Sequence, residues 1–346
     1  MKREVLLADL KKIEPALAKS SPYPALTHVL FRDKTAIAYD DALALKRKVE
    51  LDGFEGCLPG RLLIDFLGAS AAEDLERTDE AAEGSIGFKL GRSKIELAML
   101  PADDHPFRAP EAADALAIDV PETFPANLAK AAVTMGLDSL QLWCFGVTLV
   151  VEKGEGRLLS TNTYAASRVY LGKFGAKDLK ELLPPRFVEV FGRLASKSKA
   201  LKLLVWEGDC IGATFEDGTE LFCKTVPEAD PEKLAKVFDR GDNKRQPIPA
   251  DFDRGLARAK IFMTSSVLIE RVADFRIAKE RLAIEIRNER GSFRDSWKFP
   301  EHPDILVKSV PELLTGPVSH STSVFFGENA VELSGPDCDF IIANQK

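Results

Sequence analysis

The chain has 346 residues, 45% of them apolar and 29% charged, with a formal net charge of -7. These values are ordinary for a soluble globular protein of two or three domains, and the acidic total argues against a surface that is basic everywhere. No apolar run approaches the roughly 18 residues needed to cross a bilayer, and Asp9, Lys11 and Lys12 interrupt the first apolar stretch too early for a secretory signal. A cytoplasmic chain is expected.

Taken in order, residues 6–19 read as a helix, and 26–39 and 43–51 as strands with turns near 32–34 and 40–41. LPGRLLIDFLG (58–68) gives a short helix with Leu63, Phe66 and Leu67 on one face, stopped by Gly68. The acidic run 71–84 reads as a solvated connection, followed by strands at 85–90 and 93–100 and a proline-rich linker. A second helix-first segment places Phe124, Leu128, Ala131 and Met135 at helical spacing. Strands are expected at 140–145, 148–152, 157–161 and 167–171, with KGEG as a hairpin turn. LPPRFVEVFGRL (183–194) then carries the stripe Phe187, Val190, Phe191 and Leu194, with Arg186, Arg193 and Lys197 on another face and Lys199 and Lys202 extending its basic end. After a linker at 239–249 come a helix with Arg254, Arg258 and Lys260, and strands at 267–275, 278–286 and 292–299. A short helix near Pro311 and strands at 324–326, 330–334 and 340–343 complete the chain.

These elements repeat. Leu58 and Leu183 open matching helix entries 125 positions apart, and Val307 begins a third 124 positions later. The first helices at 6–19, 122–135 and 250–263 echo one another, as do the strands holding Leu97 and Phe222, again 125 apart. Three copies of one α+β domain are expected, at 1–114, 115–240 and 247–346, each with two helices covering antiparallel sheets.

Positive charge gathers on the helices of this acidic chain: Lys11, Lys12, Lys19, Arg61, Lys130, Arg186, Arg193, Lys197, Arg254 and Arg258, with Lys308 assigned to the same face. Singly these are solvated residues, but their recurrence on equivalent helices suits sequence-independent phosphate contact. The histidines His28, His105, His302 and His320 are scattered, without metal-ligand spacing, and no hydrolase, Walker or Rossmann fingerprint is present. His105 reads as a solvated linker residue. Cys57, Cys144, Cys210, Cys223 and Cys338 lack a CxxC pair and read as reduced, buried side chains. Neither an enzyme nor a cofactor is indicated.

GRSKIELAMLPADDHPF (91–107), DGTELFCKTVPEADPEKLAKVF (217–238) and the helix entries LPGRLLIDFL and LPPRFVEVFGRL resemble corresponding segments of the bacterial DNA polymerase III beta sliding clamps, in collinear order along the chain. The resemblance implies a DNA clamp fold of three domains and a head-to-tail homodimer that encircles double-stranded DNA. It also implies a non-catalytic processivity factor, with helices facing the DNA through Lys11, Lys12, Arg61, Lys130, Arg186, Arg193, Lys197, Arg254 and Arg258. Ile95 and Leu97 would meet Ile261 and Phe262 across the subunit interface. A pocket for short peptides of the polymerase and clamp loader would involve Cys144, Thr161, Tyr164, Pro231, Lys236, Val237, Ile342 and Ala343.

The pocket departs from the family. Where its members resemble Thr-Asp-Gly-His-Arg-Leu, this chain has Thr161, Asn162, Thr163, Tyr164, Ala165 and Ala166, and Ala343, Asn344, Gln345 and Lys346 replace the methionines and proline of the family's tail. A clamp serving a different polymerase or loader, divergent or phage-encoded, is expected. The rival expectation is a scaffold of the same fold that binds proteins without encircling DNA.

Overall fold

The structure is a computed structural model. It describes all residues except 1, 51–53, 79–81, 176, 207–209, 226–230, 240–242, 264–270, 290, 301 and 346, and all their side chains except those of Leu142 and Pro231. The described helices are α1 (Arg3–Ile13), α2 (Gly60–Gly68), α3 (Phe124–Ala132), α4 (Pro185–Ala195), α5 (Pro231–Lys236), α6 (Phe252–Lys260) and α7 (Pro311–Ser319). Apart from the short α5 and the strands Leu116–Asp119 and Gln246–Pro247, which precede α3 and α6, the order helix, four strands, helix, three strands occurs three times among the described elements.

The helices follow from spacing. Helix α1 buries Leu6, Asp9, Leu10 and Ile13, α3 buries Phe124, Asn127, Leu128 and Ala131, and α6 buries Phe252, Gly255, Leu256 and Ala259. The steps of three and four residues are identical in all three, so each lays one stripe on its sheet. In α6 the middle position must be glycine, because a Cβ there would sit 2.0 Å from the Trp297 ring. Proline opens α4 and α7 at a position that needs no amide hydrogen. The α4 stripe of Phe187, Val190, Phe191 and Leu194 is buried as expected. Helix α2 instead buries Leu63, Ile64 and Leu67, leaving Phe66 half-buried.

Contacts divide the chain into two compact units, Met1–Glu122 with Glu189–Thr225, and Thr123–Val188 with Val226–Lys346. The first holds an eight-stranded antiparallel sheet, in which the four strands of residues 28–59 are continued by strands from residues 116–224. The join lies where Leu43–Lys48 meets Glu220–Lys224, with Leu45 opposite Leu221. The second unit repeats the arrangement: Ala165–Lys173 meets Cys338–Ala343, with Ser167 opposite Phe340. Each unit also carries a smaller sheet, three strands (75–78, 85–90, 93–98) in the first and four (273–278, 281–288, 291–298, 305–309) in the second.

Several expectations give way. Residues 140–145 form no strand but a 3-10 turn at Leu142–Cys144. Their loop is pinned at Gly136, whose amide donates to the Cys144 carbonyl and where a Cβ would lie 2.3 Å from that oxygen. The acidic connection contains a strand, Leu75–Thr78, paired with Ser85–Leu90. Helix α1 ends at Ile13, and Glu14–Ala16 tightens into a 3-10 turn around Pro15, which lacks an amide hydrogen. Lys202 and Lys308 lie on the strands Ala200–Trp206 and Ile305–Ser309 instead of on helices. Of the strand expected from Val267, residues 267–270 lie outside the described residues, Arg271 and Val272 are not in a strand, and the strand begins at Ala273. His105 is buried, not solvated.

Candidate functional site

In the second unit, the turn after Glu155–Thr161, the described part of α5 and the strand Cys338–Ala343 enclose a cavity of about 530 Å³. Thr161, Tyr164, Leu234, Val237, Ile341 and Ala343 line it, and Trp143 and Lys233 complete its rim. Its floor continues into a cluster of Val150, Leu159, Ala166, Leu234, Phe238 and Ile341. Trp143 is 53% exposed and Tyr164 36%, so two large rings stand at the edge of an apolar hollow. Such a hollow, with few polar groups to orient a guest, suits an apolar side chain of a bound segment.

The turn at residues 161–165 is held from within. Thr161 Oγ1 donates to the Ala165 carbonyl, and Asn162 Oδ1 accepts from the amides of Tyr164 and Ala165. Between them Thr163 sits at φ 76°, a left-handed conformation that a β-branched residue adopts only under strain.

Of the pocket residues expected from sequence, Thr161, Tyr164, Val237 and Ala343 line the cavity. Cys144 is buried nearby in sequence and donates to the Gln141 carbonyl, Lys236 is exposed, and Ile342 is fully buried and alternates away from Ile341. Pro231 opens α5, with its side chain outside the described residues. Lys233, Leu234 and Ile341 were missed, and Trp143, which the sequence offered only as a core or pocket-wall residue, stands at the rim. Strand alternation would have paired Ile341 with Ala343, and helical spacing would have paired Leu234 with Val237.

The basic residues sort into two kinds. Lys11, Arg61, Arg193, Lys197 and Arg254 are exposed, Arg254 with Asp251 beside it at 3.1 Å, and Arg186 is half-buried. Lys12, Lys130 and Arg258 share one position, two residues beyond the second apolar residue of each stripe, and each is engaged by a carboxylate. Lys12 donates to Asp217 at 2.6 Å, Lys130 to Asp337 at 2.5 Å, and Arg258 to Asp295. Burial would raise the Asp217 carboxyl, but hydrogen bonds from Lys12 and Thr219 and the nearby Arg47 charge outweigh it and hold it at about 2.

Solved structures resemble the chain along its whole length. The DNA polymerase III subunit beta of Pseudomonas aeruginosa superposes with a TM-score of 0.86 at 17% identity, covering 100% of this chain and 99% of that one. The fold is that of the sliding clamps. The DNA polymerase III beta subunit of Thermotoga maritima gives 0.83 at 15% identity, and the sliding clamp of Caulobacter crescentus 0.86 at 16%, each covering 100% of this chain and 98% of its own. No family model and no curated protein matches the sequence. Of the expected interface residues, Ile95 and Leu97 lie on the edge strand Ser93–Ala98, and Ile261 and Phe262 lie in the turn after α6. Leu97 is 1% exposed, so its side chain belongs to the core of its sheet, whereas Ile95 on the same edge strand is half-buried. Ile261 is 73% exposed, and Phe262 packs on Phe293 of the edge strand Gly291–Lys298 with ring centroids 5.3 Å apart.

Among the described residues no helix is long and apolar enough to cross a membrane. No disulfide joins the five described cysteines, four of which are buried and one, Cys210, half-buried.

Proposed function

We propose that the chain is a DNA sliding clamp: three domains, at 1–114, 115–240 and 247–346, which close head to tail with a second copy into a ring around duplex DNA. The ring would tether a polymerase and its loader through the cavity at Trp143 and Tyr164, in the cytoplasm and on the nucleoid. One observation carries this reading. Both eight-stranded sheets join the first-half strands of one repeat to the second-half strands of the next, which leaves the second half of the first repeat and the first half of the third as separate small sheets. Their edge strands, Ser93–Ala98 and Gly291–Lys298, each pair with one neighbour among the described strands. A second copy offers each edge the complement that the internal joins already use, and exposed edges are otherwise a hazard.

The non-encircling scaffold stays in view because Lys12, Lys130 and Arg258 are committed to carboxylates, which lowers the charge free for phosphates. Solution mass and retention on closed circular DNA separate the two readings. A clamp gives twice the 38.0 kDa chain mass and stays on circles until they are linearised. A dimer that leaves circles and linear DNA equally fast would support the scaffold.

A further inference from the structure

The two internal joins are built on one plan. At each, a lysine of the repeat's first helix fastens an aspartate in the turn of the arriving hairpin, Lys12 with Asp217 at 2.6 Å and Lys130 with Asp337 at 2.5 Å. Across each join an alanine of the receiving strand faces an apolar residue of the arriving one, Ala44 opposite Phe222 and Ala166 opposite Ile341. Two residues further on, the Lys224 amide donates to the Ala42 carbonyl as the Ala343 amide donates to the Tyr164 carbonyl, both at 2.8 Å. A linker phenylalanine then covers each sheet: Phe107 packs on the cluster of Tyr39, Ala44 and Phe222, and Phe238 joins that of Leu159, Ala166 and Ile341.

One plan leaves one hollow at each join. The first unit has a cavity of about 410 Å³ at the place where the second has the one beside Tyr164. Tyr39 stands there for Thr161, Phe222 for Ile341 and Lys224 for Ala343. These exchanges change what the hollow can take. The ring of Phe107 lies 5.2 Å from that of Tyr39 and 5.5 Å from that of Phe222, so the floor is aromatic, and Phe107 is only half-buried and open to a further ring.

Two exposed cations flank this floor. Lys224 lies 5.7 Å from the centre of the Tyr39 ring and pairs with Asp41 at 3.1 Å, with side chains 59% and 73% exposed, a pair that water weakens. Arg108 donates to the main-chain carbonyls of Asp103, His105 and Phe107, and among the described residues no carboxylate pairs with it. Its Nε–H and one Nη2 hydrogen are left for the two parallel bonds that a carboxylate accepts, on a guanidinium already held in place. Asp41 at the rim opposes a run of phosphates, so one acidic group beside a ring fits better than a polyanion.

We infer that this hollow is a second docking site of the chain, for a partner segment in which an aromatic residue is flanked by an acidic one. The ring lies on Phe107, and the carboxylate reaches Arg108 and Lys224. The site requires neither ring closure nor DNA. Because its chemistry differs from that of the apolar cavity in the second unit, one chain can select two different segments.

A fluorescein-labelled peptide Gly-Ser-Asp-Phe-Asp-Gly-Ser, its counterpart with Lys for each Asp, and a labelled single-stranded oligothymidylate are titrated with the full chain and followed by anisotropy. The Asp-Phe-Asp peptide is expected to bind about tenfold more tightly than the Lys-Phe-Lys one, and more weakly as salt rises, because the rim cations are exposed. Arg108→Gln is expected to weaken it about tenfold and Lys224→Gln about threefold. Since Arg108 also bonds its own loop, Lys224→Gln keeps the test open if Arg108→Gln unsettles the fold. No binding, equal binding of the two peptides, or binding that neither substitution weakens overturns the site. So does binding lost in Trp143→Ala, which would place the peptide in the other cavity. Oligothymidylate bound in preference to the acidic peptide would assign the hollow to bases and overturn it as well. A chain retained on circular DNA that does not bind the peptide loses this site and keeps the clamp reading. A chain that binds the peptide but leaves circles as fast as linear DNA keeps the site and loses the clamp.

Discussion

At the scale of single residues, two side chains sit where the fold holds them against their own preferences. His105 is completely buried with neither ring nitrogen hydrogen-bonded, and burial, reinforced by the charges of Arg108, His28 and Arg32, lowers its pKa to about 4. The folded chain thus keeps His105 neutral while the unfolded chain protonates it near its ordinary value. Stability is complete above about pH 6.5 and declines as pH falls toward 4, by about 3 kcal/mol at most. Denaturant titrations of His105→Phe across that range should show a shallower decline than the parent chain; equal slopes would mean that other groups set it. Thr163 is the second case. Its φ of 76° is one glycine adopts freely, and glycine is the residue the clamp family resembles at this position. Thr163→Gly is expected to stabilise the chain by about 1 kcal/mol, the relief of left-handed strain exceeding the entropy glycine adds to the unfolded state. An unchanged or lower melting temperature would show that the turn needs its threonine.

At the scale of elements, the sequence carried what periodicity can carry. The stripe of α4 and the Phe124, Leu128 and Ala131 positions of α3 were legible because burial on one face imposes a spacing that substitution leaves intact, whereas Met135 lies beyond the end of α3, and α1 and α6 were legible only as echoes of it. The loop at 137–143 was misread for the same reason. Leu140 and Trp143 look like an apolar strand, yet they are 91% and 53% exposed, and two glycines fix the loop's ends. The strand Leu75–Thr78 was hidden because it is an edge strand of the small sheet, with Leu75 alone fully buried in it. The cavity was half legible. Its turn stood out against a family pattern, but Trp143, Lys233 and Ile341 reach it from separate elements that only the fold brings together. The ion pairs could not be read at all, since Lys12 and Asp217 are 205 positions apart and nothing local marks either as half of a pair.

At the scale of the whole molecule, the proposed clamp would hold DNA through its exposed cations and not through those that fasten the joins. A ring that slides must offer diffuse charge without a base-edge code, and each phosphate neutralised releases counterions, steepening the salt dependence of binding. Arg193 and Lys197 lie on the exposed side of α4 and just beyond its end, opposite the buried Phe187, Val190, Phe191 and Leu194. Lys12 lies beside its acidic partner with its side chain 30% exposed. Replacing Arg193 and Lys197 by alanine is therefore expected to shorten retention on closed circles and to reduce the salt slope by roughly one to two units, with the melting temperature almost unchanged. Lys12→Ala should do the reverse: it leaves Asp217 facing Arg47 alone and lowers stability, while the salt slope moves little. Retention on circles and thermal melts, run on both variants at several salt concentrations, test the assignment. If Lys12→Ala flattens the salt dependence as much as the α4 pair does, the lysine faces DNA and the internal join does not depend on it. If neither variant moves the slope, the helices do not line a passage for DNA.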